Sequence, residues 1–379
     1  MDNGAKLRLL GEGAQFDVSA PSTVAPQTAL ADRPGSIYEA LSANGKRVRI
    51  LKVLLSNACR HDCLYCATRC SRDIPRASFR PEELAKLTVE LTGAGLIEGL
   101  FLSSGILGDA DSTMARMIET VEILRHTHGY RNYVHLKLLP GCSEAAVGTA
   151  ARLADRLSVN MEAPGPERLS AICPGKSFER DLVRTLRWAQ QLRQPGQVRA
   201  GLTTQFVVGA AGESDRELLQ TTSRLQAEIG LARTYYSRFQ PVSDTPLGGR
   251  EAVPAVREHR LYQAEFLLRS YGFSFGELVF DEQGGLPQDR DPKLAAALSN
   301  EELFPIEVNT AERWELLRVP GIGLTSAERI LQVRGEHTLS SLRHLEILGV
   351  RTDRARNFVT VGGRYYPRQE PAQQLSMAL

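Results

Sequence analysis

Between Lys46 and Phe239 short apolar runs alternate with amphipathic stretches about six times, and few folds accommodate that rhythm. The runs are 48–55, 99–103, 133–139, 157–161, 201–208 and 234–239, each of strand length. Between them, stretches 81–94, 112–126, 143–154, 177–192 and 214–228 place apolar residues at helical spacing, several opening on a Ser cap or a Pro in the first turn. Strand and helix in strict alternation predict a parallel sheet, because parallel neighbours need a long crossover. The expected class is α/β. About six units fit a partial (β/α)6 TIM-like barrel better than a doubly wound sheet, since a barrel gathers its functional groups at the C-terminal ends of the strands.

The flanks read differently. Residues 1–45 are rich in Ala, Ser, Pro and Gly with little periodicity, which predicts an N-terminal extension draped on the body or partly disordered. The barrel is expected over 46–245. A connector packed on it follows over 246–308, with one helix at 255–271 and then an acidic stretch bearing Gly and Pro. From Asn309 the pattern is wholly helical, predicting an all-α module over 309–368 and a loose tail over 369–379. The module is basic: ten Arg and six acidic residues lie between Ala311 and Arg368, although the whole chain carries only +2. The start, MDNGAKLRLLGEG, lacks the apolar centre of a secretory signal, and no apolar stretch approaches the ~20 residues that cross a bilayer. These features predict a soluble cytoplasmic protein with no membrane role.

Chemistry enters where the first run ends. Cys59, Cys63 and Cys66 stand in CRHDCLYC, a C-x3-C-x2-C spacing directly after VRILKVLL. A closed zinc site needs four ligands and a disulfide needs two, so a compact trio points to an iron–sulfur cluster with one iron left open. A zinc knuckle, or three ordinary thiols, is the alternative the residues leave standing. Six cysteines are too few for a disulfide framework in a chain of 379 residues. Cys70, Cys142 and Cys173 lie too far apart to form a second ligand set and are expected to be buried, inert thiols, Cys70 being the one near the trio.

The trio with Tyr65 just before its last cysteine resembles the radical S-adenosylmethionine (SAM) superfamily. That resemblance implies a 4Fe–4S cluster on Cys59, Cys63 and Cys66, SAM on the open iron, and an electron donor such as flavodoxin or ferredoxin. It also implies cofactor contacts. Tyr65 would be an aromatic wall, and Ser103, Ser104 and Gly105 of LFLSSGI would stand in for the turn that binds the methionine amine, without the carboxylate usual there. Asn160 and Glu162 of SVNMEAP, two apart and so on one strand face, would hold the ribose and methionyl groups. Val207, Val208 and Gly209 of TTQFVVGAAGES would lie against the adenine. Lys137, the charged residue in the apolar run VHLKLLPG, is a candidate proton donor or phosphate ligand if it points inward, and a rim residue if outward.

The stretch ELLRVPGIGLTSAERILQVRG resembles the helix-hairpin-helix motif, with Gly321, Ile322 and Gly323 as the hairpin and a second helix capped near Thr325. A weaker copy follows, with Leu348, Gly349 and Val350 as its turn. Backbone amides there, with Arg329, Arg334, Arg351, Arg354 and Arg356, would grip phosphates without reading bases. Segments LKVLLSNAC, LKLLPG, FQPVSDTPL, DPKLAAAL, FPIEVNTAE and LLRVPGIG, spanning about Leu7 to Tyr366, resemble the DNA modification or repair radical SAM proteins. That implies DNA as partner and an association with a uracil-DNA-glycosylase-like protein. A radical enzyme modifying RNA such as transfer RNA, and a non-catalytic iron–sulfur DNA-binding protein, are the competing readings.

Overall fold

A computed structural model describes residues 1–16, 37–41 and 47–367. The chain divides into two compact units, Met1–Tyr262 and Gln263–Leu379. In the first, seven strands form one sheet in sequential order: β1 (Ile37–Leu41), β2 (Arg47–Leu54), β3 (Gly99–Ser103), β4 (Tyr133–Lys137), β5 (Arg156–Ser158), β6 (Leu202–Val208) and β7 (Arg233–Arg238). β1 pairs antiparallel with β2, and β2 to β7 are parallel throughout. A strand order that never doubles back is that of a barrel, because a doubly wound sheet reverses direction at a switch point. The six parallel strands are the six runs read from the sequence.

The helices are α1 (Asn3–Gly13), α2 (Pro81–Gly93), α3 (Ala110–Glu122), α4 (Glu144–Leu153), α5 (Pro166–Ile172), α6 (Arg184–Leu192), α7 (Asp215–Ile229) and α8 (Ala255–Ser270). α3 runs on into a π turn at Ile123–Thr127, and another π turn, Phe178–Val183, leads into α6. Ser or Asp side chains cap α3, α4 and α7 through Asp109, Ser143 and Ser214. The extension expected to lack regular structure supplies α1 and the edge strand β1. Asp2 caps α1, Leu7 and Leu10 are buried, and Lys6 pairs with Glu83 of α2 at 2.7 Å. Residues 17–36 and 42–46 of that extension lie outside the described residues, as does the tail from 368.

Sheet register separates two chemistries. Val53, Leu102, Leu136, Leu157 and Leu202 pair across five strands in one row, all with no exposed surface. Each buried Leu contributes roughly 1.5–3 kcal/mol. Farther along this face Tyr236 meets Thr222 of α7 at 2.8 Å and packs edge-on against Tyr262 of α8, so this is the helix-covered side. On the opposite face the equivalent row is Lys52, Phe101, His135 and Arg156. That face looks into the half-barrel, and it is polar.

The second unit was expected to be all-α but contains a small sheet. β8 (Ile306–Glu307) runs parallel to β9 (Val359–Val361), which pairs antiparallel with β10 (Arg364–Tyr365). Gly362 and Gly363, with φ of 61° and 74°, make a two-residue hairpin loop, and this Gly-Gly pair was the available sequence signal. Glu307 joins the pieces by accepting from the amides of Asn309, Gly362 and Gly363 and from the Thr360 hydroxyl. Helices α9 (Pro292–Leu298), α10 (Arg313–Arg318), α11 (Leu324–Arg334), α12 (Leu342–Ile347) and α13 (Thr352–Ala355) surround a core of Val308, Leu316, Leu317, Val319, Ile330, Leu345 and Val359. Leu294, Ala297 and Phe304, from the stretch read as a connector, pack into that same core.

The turns 319–323 and 348–351 interlock. The Arg351 amide donates to the Gly321 carbonyl at 3.0 Å, and the Ser326 hydroxyl donates to the Gly349 carbonyl at 2.9 Å. Gly321 has φ 93°, and a Cβ there would lie 2.4 Å from the Arg351 carbonyl oxygen. We expect Gly321→Ala to destabilise the second unit by about 1–3 kcal/mol. Gly323→Ala, whose added carbon meets only the Tyr271 hydroxyl at 3.6 Å, should leave it unchanged. Denaturant unfolding of the full chain distinguishes the two.

Candidate active site at the C-terminal ends of the strands

The cysteine loop, 55–79, leaves β2 and is held by its backbone. Arg76 donates to the carbonyls of Asn57, Thr68, Arg69 and Arg72 at 2.6–2.8 Å. Asn57 bonds Pro75 and Ala77 across the loop's neck at 2.9 and 2.8 Å. Neighbouring loops clasp it: Gly105 donates to Ser56 at 2.7 Å, Arg60 to Ile106 at 2.8 Å and Leu64 to Ile172 at 2.8 Å. A Cβ on Gly105 would sit 2.5 Å from the Ala58 carbonyl oxygen, so the glycine permits the β3 loop to lie directly on the cysteine loop.

Cys63 is buried, while Cys59 and Cys66 are half-buried. Cys173, expected to be inert and remote, donates its S–H to Cys63. That bond is the main reason the Cys63 thiol falls to about 7; Lys176 helps and burial opposes. Cys66 moves upward through burial, partly offset by the Thr68 hydroxyl at 3.3 Å. Cys142 is buried and pushed up to about 12, as an inert thiol should be. Cys70 is exposed rather than buried, and its amide donates to the His61 carbonyl within the loop.

Lys176 is the residue the sequence concealed. Its ammonium donates to Glu162 at 3.0 Å, with both side chains buried, and the Tyr65 hydroxyl bonds the same carboxylate. Burial opposes both charges. Glu162 nevertheless stays below its ordinary value, held by Lys176 and Lys137, and Lys176 stays well above its own, held by Cys63 and Glu162. The only signal was CPGKS, a turn in which a Cβ on Gly175 would lie 3.0 Å from the His61 ring.

The other expected contacts fall at these strand ends. Ser103 is buried, and Ser104 turns its hydroxyl to the Gly105 carbonyl at 2.7 Å. β5 ends at Ser158, so strand alternation does not carry on to Asn160 and Glu162; both are buried, and Glu162 has φ 64°. Val207 is buried beside it, its amide donating to the Glu162 carbonyl at 2.8 Å. Gly209, at φ 86°, and Ala211 donate amides to the Glu213 carboxylate, which pins the turn after β6. Lys137 shares the inward face with His135 and is in register with Ser158. His135 itself bonds Ser158 at 2.8 Å, packs edge-on to Phe101 at 4.3 Å, and is kept well below its usual value by burial. Thr203 Oγ1, on the same face, is buried without a hydrogen-bond partner.

Among the described residues no three His, Cys, Asp or Glu side chains converge to hold one metal ion. A cluster makes a different demand, because each cysteine binds a separate iron and the sulfurs stay apart. Three thiols on a stapled loop, one poised near neutrality beside a buried cation, fit such a group.

In the second unit the expected phosphate ligands separate. Gly323 precedes α11, Thr325 and Arg329 are exposed on its first turns, and Gly349 is exposed at φ 87°. Ile322 is buried, and its carbonyl accepts from Lys293 at 2.5 Å. Thr325 does not cap α11, which has no side-chain cap. Arg354 is paired with Asp291, Arg334 binds the Val308 and Ala311 carbonyls, and Arg356 binds that of Tyr366. Among those five, Arg329 and Arg351 remain on the surface.

A half-barrel with one polar face and three closely spaced thiols at the C-terminal ends of its strands is a candidate iron–sulfur site. Residues 53–225 match the family model of the radical SAM superfamily, so the first unit carries a radical SAM domain. Members of that superfamily are enzymes that use a 4Fe–4S cluster and SAM, and it is to this domain of the chain that the match applies. Similar solved structures include methylornithine synthase (PylB), at 20% identity over 57% of this chain and 60% of that one, TM-score 0.47. Another is the FeFe-hydrogenase maturase HydG from Carboxydothermus hydrogenoformans, at 14% identity over 57% and 50%, TM-score 0.45. A third is the SAM methyltransferase TsrM from Kitasatospora setae, at 14% over 75% and 60%, TM-score 0.41. The match covers less than two thirds of each of those chains. No helix among the described residues is long and apolar enough to cross a membrane.

Removing Lys176 leaves the buried Glu162 without its ion-pair partner. Lys176→Met is expected to destabilise the first unit by about 3–5 kcal/mol, and the double variant with Glu162→Leu should recover most of that loss. Urea midpoints of both variants, measured anaerobically, check the pairing.

Proposed function

We propose that this radical SAM enzyme acts on nucleic acid, DNA first, with the second unit serving as a helix-hairpin-helix grip on the phosphate backbone. The observation that carries this reading is the start of α11. Asp291 caps α9 within the same unit, whereas α11 begins at Gly323, which has no side chain to cap it; the Tyr271 hydroxyl takes the Leu324 amide, and the amides that follow lie next to exposed Thr325 and Arg329. A phosphate oxygen satisfies such amides and the helix dipole together. Arg343 and Arg351 add exposed positive charge in the same unit.

Cys59, Cys63 and Cys66 would hold the cluster, with Arg76 and Asn57 keeping their loop in one shape. With a one-electron donor, the bound cofactors supply reductive cleavage of SAM and a 5′-deoxyadenosyl radical that abstracts hydrogen. Lys176, fixed by Glu162, offsets the negative charge of thiolates near Cys63. Asn160 and the Val207–Gly209 turn would line the nucleoside end of SAM. His135, neutral beside Ser158, and Lys137 would meet the target inside the half-barrel, Lys137 being the proton-carrying candidate. A base in duplex DNA must leave the stack to reach them, at a cost of a few kcal/mol that favours damaged or unpaired positions.

Anaerobic turnover with damaged and undamaged oligonucleotides, following 5′-deoxyadenosine and the mass of the nucleic acid, tests the reaction. Cys59→Ala is expected to lose most of its iron and all 5′-deoxyadenosine; full iron and activity in that variant would remove the cluster from this loop. For the grip, Arg329→Glu with Arg343→Glu should weaken duplex binding and flatten its log–log salt slope by about one for each phosphate no longer neutralised. An unchanged slope assigns the second unit another role, and preference for RNA in competition redirects the substrate class.

A further inference from the structure

The second unit contains a pocket of about 290 Å³ that the hairpins do not use. Phe273, Phe304, Trp314 and Arg318 line it together with Asn300 and Glu302. Its size is at the small end of the ~300–1,000 Å³ typical of ligand sites, which suits one planar ring system without phosphates.

Arg318 decides which rings fit. Its guanidinium carbon lies 4.5 Å from the Phe273 ring centre and 5.4 Å from that of Trp314. Its nitrogens donate to both carboxylate oxygens of Glu277 at 2.8 and 3.0 Å, and to the carbonyls of Gly272 and Trp314 at 3.0 and 3.2 Å. The cation is therefore neutralised and stacked against two rings. Trp314, fixed by this contact, still exposes 49% of its surface. With Arg318 and Glu277 neutralising each other, Glu302 adds a further carboxylate to the lining, which repels an anion. A neutral aromatic ring escapes that repulsion and can stack.

The rim adds a preference. Asn300 donates one amide N–H to the Ala296 carbonyl at 2.7 Å, which leaves its carbonyl oxygen to accept and its second N–H to donate. The Glu302 carboxylate accepts too. Acceptors on the rim call for N–H donors on the ring edge, as an exocyclic amine provides. Trp314 lies on α10, whose last residue, Arg318, adjoins the turn 319–323.

We propose that this pocket binds a single unpaired nucleobase with an exocyclic amino group, adenine, cytosine or guanine, stacked on Trp314. The source of the base rests on the nucleic-acid reading above; the chemistry of the pocket does not.

The test uses the full-length holoenzyme. Trp188→Phe leaves Trp314 as the sole tryptophan, since the chain has two. Adenosine and cytidine should quench its fluorescence saturably, and thymidine at least several-fold more weakly. No quenching, or equal quenching by all three, overturns the proposal. Separately, Trp314→Ala should weaken binding to a duplex with one bulged cytosine about tenfold while changing the unbulged duplex less than about twofold, with Trp314→Phe retaining most of the affinity. Equal losses on both duplexes would mean that Trp314 supports the fold and takes no base. If the wild type binds neither duplex yet adenosine and cytidine still quench Trp314, the pocket stands and the nucleic-acid reading falls.

Discussion

The geometry at the barrel mouth depends on one guanidinium. Three thiols sit on a long loop that has almost no regular structure, and under the proposed function their own side chains are reserved for iron and cannot brace it. Arg76 meets this constraint by binding four backbone carbonyls within that loop. Carbonyl bonds are indifferent to side-chain identity, so the loop is held without using the groups that carry the chemistry. The β3 and β5 loops then dock on a surface that is already rigid.

The second organising fact is the asymmetry of the sheet. Sequential parallel strands put their crossover helices on one side, and the leucine row beneath them excludes water. The other face is relieved of that duty, and Lys52, His135, Arg156 and Gln205 occupy it. Buried polar residues cost free energy unless they are paired, so a row of them argues for a working surface. The buried Glu162–Lys176 pair belongs to the same logic: each ion is tolerable only because the other is there, and Glu162 keeps a left-handed backbone to reach it.

The repeated apolar runs located all six parallel strands, because strand length and alternation are local properties. The cysteine trio was equally legible, since iron–sulfur ligation demands closely spaced thiols on one loop. Lys176 was not, because nothing in CPGKS says which carboxylate lies above it. Cys173 looked like a remote thiol, being more than a hundred residues from Cys63 in sequence, yet the end of α5 lies against the cysteine loop. Arg334, Arg354 and Arg356 looked like free positive charge and prove to be bound to carbonyls and to Asp291, since a sequence counts charges without showing their partners. The sheet of the second unit was hidden by its brevity: strands of two or three residues have no measurable period.

By itself the sequence determined the radical SAM barrel, its strands and the close spacing of three thiols at the end of the first, because periodicity and residue spacing are encoded within short stretches of chain. Only the tertiary structure decided the face into which Lys137 and His135 look, the thiol that bonds Cys63, the partner of Glu162, and which arginines of the second unit remain exposed. Each of these depends on contacts between residues far apart in sequence, and such contacts exist only after the chain has packed.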